Sequence, residues 1–184
     1  MTSAPQGVIA EAVPIQTMNV DQLVHVQSPP AVVVLDHLED GRNVGAIARS
    51  ALGADVPAMV VAGRRAAPLG PATFKAAAGA FEFMSVAVVA SVANSLERLR
   101  AHGLWLVGLD GAAEAPIWDC ELFDAPVALV VGSEGGGLSR LVADRMDLTV
   151  RIPTHGVESL NASVAASVAL FELARRRSGL SSPG

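Results

Sequence analysis

Three stretches of this chain place polar, ionisable or conformationally free residues directly after runs of β-branched residues. The first, Asp36-His-Leu-Glu-Asp40-Gly-Arg-Asn43-Val-Gly45-Ala-Ile-Ala-Arg49, sets an amide and a guanidinium six residues apart at the opening of a helical pattern. The second is Gly132-Ser-Glu134-Gly-Gly-Gly137. Glycines after a buried strand let backbone approach a ligand closely, and Glu134 puts a carboxylate inside that turn. The third runs from Arg151-Ile152-Pro153 to Ser159-Leu160-Asn161-Ala-Ser163, where Ser159 has the chemistry of a helix N-cap. Asn161 is a mediocre helix former, which invites another role. A fourth turn, Gly108-Leu109-Asp110-Gly111, ends a further apolar run.

Each stretch also has a plain structural reading. The first could be a capped helix with one solvated arginine, the second a glycine-rich turn, and the third a capped helix. The second is neither a Walker A loop, since no Gly-Lys-Ser/Thr follows, nor a GxGxxG fingerprint.

The elements that must position these loops alternate. Apolar, β-branched runs at Ala31–Leu35, Ala58–Ala62, 83–89, 104–109, Val127–Val131 and 148–152 read as strands, mostly buried. Residues 43–54, 71–78, 91–102, 138–146 and 160–176 read as helices. Asn43 is expected to cap the first, Gly103 to stop the third, and Leu160, Val164, Val168 and Phe171 to form the buried stripe of the last. The alternation predicts an α/β fold, a mostly parallel sheet with helices on both faces. Ligands of such sheets bind beyond the carboxyl ends of the strands, where the four loops fall. Residues 1–30 read as an irregular lead-in ending in Pro29-Pro30, 31–177 as one domain, and 178–184 as a Ser/Gly/Pro-rich tail.

Composition narrows the class. At 184 residues, 51% hydrophobic and 17% charged, the chain can build its own core. One cysteine, Cys120, excludes an intrachain disulfide and a cysteine-rich metal site, and no histidine pair has metal-ligand spacing. Cys120 reads as a half-buried thiol, Trp105 as core and Trp118 as partly exposed, while His155 lies where it could touch a ligand. No apolar run approaches the roughly 20 residues that span a bilayer, and the first residues lack a signal-peptide pattern, so a cytoplasmic protein is expected. Net charge is −5 with a single lysine, Lys75, which weighs against a uniformly basic nucleic-acid binder. Arginines cluster instead at 42/49, 64/65 and 175–177, and a locally basic face could be built from them.

Taken together, in this order and spacing, the motifs resemble those of the SpoU (TrmH-type) branch of the SPOUT RNA methyltransferases. Asp40, Asn43, Gly45 and Arg49 match its first motif, Gly132, Glu134, Gly135 and Gly137 its second, and Ile152, Pro153, Ser159, Leu160, Asn161 and Ser163 its third. The resemblance runs from about Gln6 to Arg177 and is closest to the bacterial 23S rRNA guanosine 2′-O-methyltransferase group. Gly41 stands where that family usually has proline, Asp55 replaces a common glycine, and the loop between Pro153 and Ser159 is one residue short. Gln6–Ala10 looks like the segment joining an N-terminal RNA-binding domain to the catalytic domain, which implies a catalytic domain alone.

The resemblance implies a C-terminal trefoil knot, a homodimer, and S-adenosylmethionine as cofactor, leaving as S-adenosylhomocysteine. It implies that Leu109, Gly132, Ile152 and Leu160 line the cofactor, and that Arg49 is the principal catalytic residue with Asn43, Glu134, Ser159 and Asn161 around it. The implied substrate is a ribose 2′-hydroxyl of structured RNA, a 23S rRNA guanosine first and a tRNA guanosine second. No metal is needed, because the methyl donor is already activated. Low aromatic content, 4%, offers no base-stacking platform and fits recognition of folded RNA. A non-catalytic RNA-binding or assembly factor is the alternative of a different class. A nucleotide-dependent oxidoreductase would need GxGxxG after the first strand.

Overall fold

A computed structural model describes residues 14–28, 30–64, 66–157 and 159–179. Seven strands form one sheet: β1 (Ala31–Leu35), β2 (Ala58–Ala62), β3 (Ser85–Val89), β4 (Trp105–Leu109), β5 (Ala115–Pro116), β6 (Val127–Val131) and β7 (Leu148–Arg151). Their spatial order is β3-β2-β1-β6-β4-β7-β5, and every pairing is parallel. The helices are α1 (Val20–Leu23), α2 (Gly41–Gly53), α3 (Pro71–Ala77), α4 (Val92–Ala101), α5 (Arg140–Ala143) and α6 (Ala162–Arg177).

The continuous apolar runs are strands because both faces of the sheet are covered. Along β1, Ala31, Val33 and Leu35 enter one core with Ile47 and Ala51 of α2 and Leu170 and Leu173 of α6. Val32 and Val34 enter the opposite core with Leu23 of α1, Leu96 and Leu99 of α4 and Val142 of α5. Period-two side-chain alternation thus supplies both layers from one uniformly apolar strand.

The sheet order explains why separated loops can meet. β6 lies between β1 and β4, and β7 lies beside β4. The loops after β1, β6, β4 and β7 therefore emerge as neighbours at one edge of the molecule, at the point where strand order reverses. Asp36 N donates to Val131 O at 2.9 Å and Asp110 N to Val150 O at 3.0 Å, so the loops leave the sheet in register.

Helix α2 packs against α3 at backbone distance. A Cβ on Gly45 would overlap the Thr73 carbonyl oxygen and lie 2.8 Å from both Ala76 Cβ and Ala77 N. Those neighbours belong to a helix and cannot step aside cheaply. Gly45→Ala is therefore expected to cost about 2–3 kcal/mol, lowering the melting temperature by roughly 4–12 °C in calorimetry.

Several expectations need correcting. Asp40, not Asn43, caps α2: its Oδ1 accepts from Arg42 N at 2.8 Å, which frees Asn43 to turn inward. Asn161, not Ser159, caps α6, accepting from Ser163 N at 2.9 Å and Val164 N at 3.3 Å. The buried stripe of α6 is Ala166, Ala169, Leu170 and Leu173, whereas Val164 and Phe171 are about half exposed and Leu160 precedes the helix. The lead-in is not wholly irregular. Asn19 and Gln22 form a capping box that starts α1, and Met18 N donates to Val86 O. Trp105 lies at the surface, being 47% exposed like Trp118 at 46%, and Cys120 is fully buried. Phe83 is exposed because β3 starts only at Ser85, and the helix expected over 138–146 is only Arg140–Ala143. The short strand β5 was not anticipated. Residues 1–13, Pro29, Arg65, Glu158 and 180–184 lie outside the described residues.

Candidate active site

Tight reversal makes the loop after β6 a partition. Ser133 and Gly137 exchange backbone hydrogen bonds at 2.9 and 3.0 Å, and Gly135 and Gly137 take positive φ values of 74° and 62°. L side chains rarely accept such angles. A Cβ on Gly132 would overlap the Gly137 carbonyl, so the fold-back closes only over a glycine.

A cleft lies on each side of this partition. The first, of about 720 Å³, is lined by the loop after β6 together with Leu109–Ala112, Val150–Ile152, Thr154 and the stretch Ser159, Leu160, Ala162 and Ala165. The second, of about 630 Å³, is lined by His37, Leu38, Glu39, Asp40, Gly41 and Asn43. Ser133, Glu134 and Gly136 belong to both.

Glu134 is the pivot. Its Oε1 accepts from Asn43 Nδ2 at 2.7 Å and also from Asn161 Nδ2. Asn161 thereby does two jobs: its Oδ1 caps α6 and receives the Ser163 hydroxyl at 2.6 Å, while its amide nitrogen reaches Glu134. One carboxylate thus ties together side chains 91 and 27 residues distant in sequence. Asn43 is buried, and Glu134 is exposed at the cleft edge. At the mouth of the second cleft, the Arg42 guanidinium holds the Asp40 carboxyl below the ordinary carboxylate range by direct hydrogen bonding.

Of the residues singled out from sequence, Leu109, Gly132, Glu134, Ile152, Ser159 and Leu160 line the first cleft, and Asn43 and Glu134 the second. Arg49 lines neither. It is exposed on α2, and its side chain makes no hydrogen bond or ion pair among the described residues. His155 is exposed in the loop after β7 and lines neither cleft. The arginines at 175–177 form no basic face. Arg175 pairs with Glu172, Arg176 with Asp124, and Arg177 donates to the carbonyls of Phe123 and Ala125. Exposed Arg49, Arg64, Arg151 and Lys75 have no ion pair among the described residues, so they are the cations available to an external polyanion.

Residues 30–171 match the model of the SpoU rRNA methylase family. The chain belongs to that family. This SpoU protein is 40% identical over 177 residues to the Pseudomonas putida protein named 23S rRNA (guanosine-2′-O-)-methyltransferase RlmB, covering 94% of this chain and 71% of that one. Among solved structures, it is similar to the SpoU methyltransferase AviRb from Streptomyces viridochromogenes in complex with AdoMet. There the TM-score is 0.80 at 31% identity, over 89% of this chain and 66% of that one. It is also similar to the AdoMet-bound rRNA methyltransferase from Sinorhizobium meliloti, with a TM-score of 0.79 at 28% identity, over 91% of this chain and 62% of that one. This SpoU domain thus spans somewhat less than two thirds of those two solved chains.

Sequence reasoning passed over Asp36 and His37. Asp36 is 0% exposed, accepts from Ser139 N at 2.7 Å and faces His37 Nδ1 at 2.6 Å. The readable signal was an acid followed by a histidine at the carboxyl end of a buried strand.

Proposed function

We propose that this chain transfers a methyl group from S-adenosylmethionine to a ribose 2′-hydroxyl of ribosomal RNA, a 23S guanosine. Family membership makes it an RNA methyltransferase, and the cofactor belongs to that class. The observation that carries the site assignment is the Glu134 bridge, which joins Asn43 and Asn161 on the wall between two clefts.

The first cleft fits the cofactor. Leu109, Ile152 and Leu160 offer apolar flanks, and the fold-back at Gly132 exposes main-chain amides and carbonyls that can read an adenine edge. When bound, the cofactor supplies a methyl group already activated on a sulfonium. The protein's own task is to align the acceptor oxygen, exclude competing water and manage one proton. Asn43, held by Glu134, and Asn161 present fixed polar groups at the edge where the two clefts meet. Arg49 binds the RNA phosphate and stabilises the developing alkoxide. A guanidinium stays protonated, so it serves as a charge and not as a proton acceptor.

The enzyme works as a homodimer that completes this site. In support, Val164 and Phe171 expose apolar surface on α6, and α2 lies against α6 through the 2.7 Å contact between Ser50 Oγ and Ser167 Oγ. Arg49, the neighbour of Ser50, would then serve the clefts of a second copy. The catalytic unit is residues 31–177, between a lead-in and a tail, and the family match over 30–171 supports that division. A knotted C-terminal segment, which the family resemblance implies, belongs to the same reading. No helix among the described residues is long and apolar enough to cross a membrane, and the proposed site of action is the cytoplasm.

Calorimetry with S-adenosylmethionine, followed by mapping of 2′-O-methylation on ribosomal and transfer RNA transcripts, tests the proposal. Arg49→Ala is expected to bind cofactor within about threefold of the native chain yet to lose about 100-fold or more in turnover. Near-native turnover would remove Arg49 from the mechanism. Absence of cofactor binding by the native chain would overturn the methyl-transfer reading.

A further inference from the structure

Methyl transfer to a hydroxyl releases a proton, and none of the groups assigned above is suited to take it. Arg49 is a poor acceptor, and a carboxylate such as Glu134 is intrinsically a weaker base than an imidazole, with one oxygen already committed to two amide hydrogens. Three independent observations converge on a different side chain. His37 is a non-glycine residue with φ of 56°, in the left-handed region, immediately after β1. Such strain persists where surrounding structure holds it, and it clusters at functional sites. Its Nδ1 lies 2.6 Å from Oδ1 of Asp36, whose other oxygen accepts from Ser139 N. Its side chain is 40% exposed and lines the second cleft together with Asn43 and Glu134.

A carboxylate can only accept, so the proton of the imidazole sits on Nδ1. Nε2, which has no partner among the described residues, then carries a lone pair on the exposed side of the ring. Asp36 fixes both the tautomer and the ring plane from a fully buried position. A solvated surface histidine needs neither a buried acid nor a strained backbone.

We propose that His37 is the proton acceptor of the transfer, with Asp36 as its positioning residue. The inference rests on the methyl-transfer reading. His37 Nε2 takes the proton of the ribose 2′-hydroxyl while that oxygen bonds to the methyl carbon. The electron pair of the broken carbon–sulfur bond stays on sulfur, so the sulfonium donor departs as a neutral thioether. The imidazolium is stabilised by Asp36 and afterwards returns its proton to water. Other ionisable groups facing this ring are Glu39 and Asp40, the latter tied to Arg42, and Glu134 across the cleft.

His37→Gly is the informative variant, because glycine accepts the left-handed backbone and the fold loses strain. Single-turnover methylation of a 23S rRNA transcript with labelled S-adenosylmethionine is expected to slow by about 100-fold or more. Cofactor affinity by calorimetry should stay within about twofold. Added imidazole should recover at least tenfold of the lost rate. Independently of activity, nitrogen chemical shifts of His37 should report Nδ1 as the ring nitrogen that carries the proton in the neutral imidazole. A His37→Gly rate within about threefold of native would overturn the proposal. So would the absence of imidazole rescue, or a neutral ring that carries its proton on Nε2. Failure of the native chain to bind cofactor or to methylate would appear before any variant is compared. It would sink the methyl-transfer reading itself, and this role with it.

Discussion

Glu134→Gln is expected to lower the single-turnover methylation rate by roughly 100-fold while leaving the fold intact. The substitution keeps shape and removes one property, the negative charge that strengthens both hydrogen bonds. Native Oε1 receives hydrogens from both Asn43 and Asn161. A glutamine carbonyl oxygen can still accept from both, but the bonds become neutral ones of about half the strength. Asn43 is buried, where weakening a polar contact matters more than it does in water. Both amides are then held less firmly at the junction of the clefts. Asn161 would still cap α6 through Oδ1, so thermal stability should change little. Stopped-flow or quench measurements should show the loss in the chemical step, with calorimetric cofactor affinity changed by less than about fivefold. An unchanged chemical step would mean that the bridge is scaffolding alone.

Gly132→Ala is expected to abolish measurable cofactor binding, weakening it by at least about 100-fold. The added Cβ would overlap the carbonyl carbon and oxygen of Gly137 and lie 2.5 Å from Leu138 N, all of them backbone. A flexible side chain could move aside, but this fold-back cannot close without breaking the exchange between Ser133 and Gly137. Since that loop walls both clefts, each would change shape together. The sheet beneath is anchored by β1 and β4 on either side of β6, so the molecule should stay folded. Calorimetry with S-adenosylmethionine reads the loss, and circular dichroism checks the fold. Native affinity in this variant would show that the loop plays no part in holding the cofactor.

The two variants probe separate links. Gly132 concerns how backbone shapes a cavity, whereas Glu134 concerns how polar side chains are aimed within it. Arg49→Ala probes a third link, the charge brought from α2. A clean separation of affinity from turnover across the three would support the division of labour argued here.

How far the sequence could be read depended on the range of the interactions concerned. The strands were legible because a strand covered on both faces is apolar throughout, as in Ala31–Leu35 and Val127–Val131. The loops that carry chemistry were legible because glycines and polar residues directly after such runs mark ligand-facing turns. Helix starts were less legible. Asp40, Asn43, Ser159 and Asn161 all have capping chemistry, and local sequence does not say which oxygen reaches the backbone amides. The choice fell to Asp40 because Asn43 is drawn inward by Glu134, and to Asn161 because its Oδ1 meets the first amides of α6 while its Nδ2 reaches the same carboxylate. The buried face of α6 was misjudged for a related reason. Val164 and Phe171 face outward, while Ala166 and Ala169, beside Leu170 and Leu173, allow the helix to approach the sheet.

From sequence alone followed the α/β class, the parallel sheet with two covers, and the loops suited to chemistry, whose motifs resemble those of one family. The first three depend on hydrophobic period and local residue type, which are properties of contiguous chain. Only the tertiary structure decided that Glu134 joins Asn43 to Asn161, that Arg49 lines neither cleft of its own chain, and that His37 rests on a buried Asp36. The first two are set by strand order, while the third joins sequence neighbours whose 2.6 Å approach is fixed by the turn after β1. The physical reason is that β6 is inserted beside β1, bringing side chains distant along the chain within hydrogen-bonding reach, and no local pattern encodes that adjacency.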